Sequence, residues 1–79
     1  MTNKNNIEGT LPAVKTAVAS LTPTAPADAD LLAVAQGAIT KQIDALIAAG
    51  TPNGCAVNLA VDAANFRCAF SVTPRAILV

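Results

Sequence analysis

The chain has 79 residues and a formal net charge of zero, with five Lys and Arg against five Asp and Glu. Apolar residues make up 53% and charged residues 13%, about half the usual charged share. There is no basic stripe for nucleic acid and no acidic cluster imitating it, and two Phe without Trp or Tyr leave no base-stacking platform.

Seventy-nine residues make one domain. A domain this short buries only about 60–65% of its extended surface, so a lone copy is marginal. Few charges are available to coat what remains outside. The expectation is that some apolar surface is buried between chains.

Residues 1–10 are polar and Asn-rich, and read as an extended N-terminal arm carrying Ile7. They contain no apolar h-region, so no signal peptide is expected, and synthesis in a cytoplasm without secretion follows. Thr10 can cap a helix, and Pro12 suits its first turn. Leu11, Val14, Val18 and Leu21 recur at helical spacing, which predicts a short helix over residues 12–20 with Lys15, Thr16 and Ser20 facing out. A helix this short persists only if docked. Residues 21–29, with Pro23 and Pro26, form a stiff connector. It allows either an antiparallel helix pair or an exchange with another subunit.

Residues 30–49 form the predicted long helix. Asp28 or Asp30 can cap it, Gly50 suits the left-handed position after its end, and Thr51-Pro52 stops it. Leu32, Ala35, Ile39, Ile43, Leu46 and Ile47 fall on one face, with Leu31 on the flank. Ala33, Ala38, Ala45, Ala48 and Ala49 surround that face. One reading takes Ala as a helix former; the other takes a second face of the helix as buried against another subunit. Gln36, Lys41 and Asp44 interrupt the apolar surface, so no membrane span is expected. Lys41 and Asp44 are expected to pair on the helix surface.

Thr51-Pro52-Asn53-Gly54 is turn chemistry. Residues 55–73 then alternate at period two. Cys55, Val57, Leu59 and Val61 share one face, as do Phe66, Cys68, Phe70 and Val72. Asp62-Ala63-Ala64-Asn65 is the turn between them. Placing Val61 opposite Phe66 puts Leu59 opposite Cys68, Val57 opposite Phe70 and Cys55 opposite Val72, with every apolar residue on one face. Thr73-Pro74 is expected to interrupt the strand. Residues 75–79 are read either as a third strand on this hairpin or as a strand added to a neighbour's sheet edge. The expected fold class is α+β, with the sheet packed on the long helix.

In that register about 13 Å of strand separates the levels of Cys55 and Cys68, beyond disulfide reach. Two free thiols are expected, as small buried core residues. With no His and no close Cys pair, neither a metal site nor an activated cysteine is supported. The carboxylates form no acid–base pair, and the Gly50–Gly54 loop lacks the Lys of a phosphate loop. No enzyme activity and no cofactor are expected.

Two functions fit. The first is a structural assembly subunit repeated in a larger particle, such as a virion component that decorates a capsid, with Ile7, Ile77, Leu78 and Val79 as candidate interface. The second is a small homo-oligomeric binding module that blocks a partner protein or captures a small anionic ligand, for which Lys41, Arg67 and Arg75 are the candidate contacts. In both, the chain's partner is first of all itself, with no nucleic acid and no membrane.

Overall fold

A central strand, covered by two helices on one face, organises the chain. The structure is a computed structural model and describes residues 3–77. Its elements run β1 (Asn3–Thr10), α1 (Leu11–Ala19), α2 (Ala29–Ala49), β2 (Gly54–Asp62) and β3 (Arg67–Arg75). Three-residue 3-10 turns at Pro26–Asp28 and Ala63–Asn65 precede α2 and β3. The sheet order is β1-β2-β3, antiparallel throughout. This is the expected α+β class, with the sheet packed on the long helix.

The alternation of β2 sets the layers. Cys55, Val57, Leu59 and Val61 are buried beneath the helices, while Asn58 faces out. Leu11, Val14 and Val18 of α1 meet Leu32, Ala35, Ile39 and Ile43 of α2 over that row, and Ile7, Leu46 and Val72 close its sides. α1 lies over β1 and β2, and α2 over β2 and β3. The helices run antiparallel within one chain. Lys15 Nζ of α1 donates to Asp44 Oδ1 of α2 at 2.6 Å. Farther along, Gln36 Nε2 donates to the carbonyls of Val18 and Leu21, both at 2.9 Å. Gln36 thus ties α2 to the end of α1 and the connector, sharing the Val18 carbonyl with Leu21 N–H.

Several expectations are corrected. The third strand comes from the N-terminus: the segment read as a free arm is β1, paired along its length with β2 from Asn3↔Val61 to Thr10↔Gly54. A central β2 needs neighbours on both edges, and β1 runs directly into α1, whose Leu11 N–H donates to Asn53 O at 2.9 Å. At the other end, β3 continues through Thr73 and Pro74 to Arg75. Proline is tolerated there because β3 is an edge strand. Ala76 and Ile77 carry no strand, and Leu78 and Val79 lie outside the described residues. Ile77 instead turns back on its own chain. Its N–H donates to Asn53 Oδ1 and its carbonyl accepts from Asn53 Nδ2, each at 2.7 Å. Its side chain covers Gly54, where a Cβ would overlap Ile77 and approach Gly9 O to 2.6 Å.

The hairpin register is two residues from the expected one. Val61 faces Cys68, Leu59 faces Phe70 and Val57 faces Val72. An even displacement keeps every side chain on its expected face. The added length lies in the turn, where Ala63–Asn65 coil into a 3-10 turn and Phe66 adopts a left-handed φ of 54°.

The connector at residues 21–29 ends in the Pro26–Asp28 turn, and α2 begins at Ala29. Gly50 closes α2 in the left-handed conformation (φ 81°), its N–H donating to Leu46 O and Ile47 O. At the other end Asp28 stands at the cap position without making a side-chain cap bond. Its carboxylate turns inward and accepts from Ala63 N–H at Oδ1, 2.9 Å. The start of α2 is thereby tied to the β2–β3 turn.

Candidate interaction surface

Of the strands, β2 is covered and β3 is not. The inward-facing residues of β2 are buried, yet those of β3 remain accessible: Cys68 is exposed, Phe70 is 36% exposed and Val72 is half-buried. At the head of β3, Phe66 is 96% exposed. The two helices stand over three strands, with α2 over β2 and β3. Among the described residues no strand lies beyond β3.

The side of α2 turned away from α1 continues this open flank. Gln36 and Asp44 mark the side facing α1. At 100° per residue, Leu31, Ala38, Gln42, Ala45 and Ala49 fall opposite them, with Val34 above, 68% exposed. None of these side chains carries a charge. This uncharged side of the long helix adjoins β3; Leu31 within it packs against the core.

By length and composition, the helical segment Pro26–Ala49 is apolar enough to cross a membrane, with mean hydropathy 1.3 over an 18-residue window, of which 22% is buried. The core stripe of α2 is used inside the fold. The remainder is accessible.

The other sequence-predicted residues do not converge. Lys41 is exposed on the outer face of α2. Arg67 and Arg75 stand at opposite ends of β3, about 27 Å apart along a strand, and Arg75 pairs with Glu8. Asp44 takes Lys15, not Lys41, as its partner. Ile7 packs against the core and Ile77 is half-buried over Gly54, so both are engaged within the chain.

The two thiols are free, as expected, but differ in setting: Cys55 is buried and Cys68 exposed. Removal from water pushes the Cys55 thiol above its ordinary value. Cys68 is therefore no core residue.

Asp28, expected as a helix cap, and Asp62, expected in the turn, are both buried. Asp62 Oδ2 accepts from Asn65 Nδ2 at 2.7 Å and braces the turn. Asp28 Oδ2 has no hydrogen-bond partner among the described residues. The described residues contain no group of three or more His, Cys, Asp or Glu placed to hold a metal. A shallow groove of about 300 Å³ lies on the helix-free sheet face, lined by Lys4, Asn6, Asn58, Ala60, Ala69 and Ser71 among others.

Comparison with protein-family models, with curated proteins and with solved structures finds no match for this chain.

Proposed function

We propose that this chain is a non-enzymatic structural subunit that assembles with copies of itself, repeated within a larger particle such as a virion, where a capsid-decorating role suits its size. The observation that carries this reading is the open flank of β3, whose inward-facing Cys68, Phe70 and Val72 stay accessible although their partners on β2 are buried. An uncovered apolar flank is a mark of association surfaces. The low charge content supports the same reading. β1 and Ile77 are bound within the chain, so this reading draws on β3 for the contact.

An acid–base reaction has few candidates here, with no His or Tyr in the sequence. The second reading, capture of a small anion, lacks a site that joins Lys41, Arg67 and Arg75, because the fold holds them apart. Multi-angle light scattering on the purified chain tests the proposal. The expected result is a mass that is a multiple of the 7.9 kDa chain, and concentrated samples viewed by electron microscopy are expected to show ordered particles or arrays. A well-folded single chain at every concentration overturns it.

A further inference from the structure

We infer that the open flank of β3 and α2 is a two-fold interface with a second copy of this chain, in which β3 pairs antiparallel with β3 of the other copy about Phe70. This rests on the self-assembly reading above and names its surface and register.

The occupant must satisfy two chemistries at once. The outer edge of β3 presents backbone N–H and C=O groups with no strand beside them among the described residues, and α2 presents uncharged, mostly small side chains next to it. Lipid cannot satisfy the backbone groups. Membrane-surface helices also lean on a Lys- and Arg-rich polar face, whereas α2 carries Lys41 alone. A second copy supplies both complements, a strand edge and a small-residue helix flank, from one surface, as an isologous contact requires.

The spacing fits. α2 stands over β2 and β3, with the closer approach to β3. A two-fold axis normal to the sheet beyond β3 sets the two α2 helices apart by at most two strand spacings, about 10 Å. Packed helices lie about 8–10 Å apart, and Ala38 and Ala45 leave room for that approach. A standard interface takes about 800 Å² per partner, roughly one-sixth of the 4750 Å² molecular surface, which is the share of one side.

The register follows from the faces. Residues 68, 70 and 72 point toward the helices, so only pairings that keep even positions opposite even positions preserve the layer. Centring on Phe70 puts Cys68 opposite Val72 and Arg67 opposite Thr73. Pro74, which lacks an N–H, and Phe66, which is left-handed, then both fall outside the ladder. Centring two residues later would bring Pro74 opposite Phe70.

The test uses the intact chain. Val72→Cys places a new thiol opposite Cys68 of the other copy, within the Cα separation a disulfide needs. The expected result is a wild-type mass about twice 7.9 kDa. After mild oxidation V72C is expected to run as a covalent dimer that dithiothreitol dissolves, while the wild type does not cross-link. Ala45→Arg, at an exposed position and with a good helix former, is expected to return the mass to a single chain. An oligomer that survives A45R and does not cross-link through V72C overturns this interface and leaves self-assembly standing. Cross-linking of Ser71→Cys without cross-linking of V72C overturns the register. A single-chain mass at all concentrations overturns both readings, and sedimentation of that chain with neutral phosphatidylcholine vesicles would assign the flank to lipid.

Discussion

Asp28 is the residue whose position says most about how this small fold holds together. A buried carboxylate costs free energy unless it is hydrogen-bonded, and Asp28 recovers part of that cost by accepting Ala63 N–H across 35 positions of sequence. Asp28→Ala would leave that N–H without its acceptor, and is expected to lower stability by about 1–3 kcal/mol in urea denaturation. Asp28→Asn keeps an acceptor in place, so it should cost clearly less; equal losses from both would show that charge, not the bond, matters. The thiols make a second prediction. Iodoacetamide is expected to modify Cys68 in the folded but dissociated chain, as in A45R or at high dilution, and Cys55 only after unfolding. Because burial raises the Cys55 value, the folded state holds that proton more tightly than the unfolded chain. The resulting stability is whole below the ordinary thiol value of about 8.5 and falls as pH rises past it. Denaturation midpoints at neutral and alkaline pH check this, and Cys55→Ala should flatten the difference.

At the scale of elements, the join between α1 and α2 separates two kinds of polar contact. Gln36 is half-buried and donates to two carbonyls at the end of α1. Gln36→Ala removes both bonds, though Val18 O keeps Leu21 N–H, and is expected to cost about 1–2 kcal/mol in the same assay. Lys15 and Asp44 are about half exposed, at 43% and 52%. Their ion pair is screened by water, so Lys15→Ala is expected to change stability by about 0.5 kcal/mol or less. A larger loss for K15A than for Q36A would refute this ordering. The elements themselves were largely legible. Pro12 and Gly50 bracketed the two helices to within a residue, because a missing N–H and a left-handed φ are local properties. The hairpin's faces were legible from period two, but its register was not. Nothing local announces that residues 63–65 coil and that Phe66 takes a left-handed φ, which moves the pairing by two.

For the whole molecule, what matters is which apolar surface the helices leave uncovered. Two helices over three strands bury the inward-facing row of β2 completely and that of β3 only in part. If that flank is closed by another copy, folding and association are coupled. The thermal midpoint should then rise with protein concentration, by mass action. Differential scanning calorimetry across a hundredfold concentration range measures it, and a constant midpoint would argue for a self-sufficient monomer. The candidate surface was half legible. The alanine-rich second face of α2 was visible in the sequence, whereas the exposure of Cys68 and Phe70 was not, since their alternation is that of buried residues.

Periodicity, caps and breakers act over a few residues. The chain alone therefore determined two helices, an alternating hairpin, two unbridged thiols and the α+β class. Which segment supplies the third strand, which way Asp28 turns and where Ile77 docks depend on contacts between residues tens of positions apart. Composition showed that charge was scarce; only the tertiary packing decided that accessible apolar side chains would lie along β3.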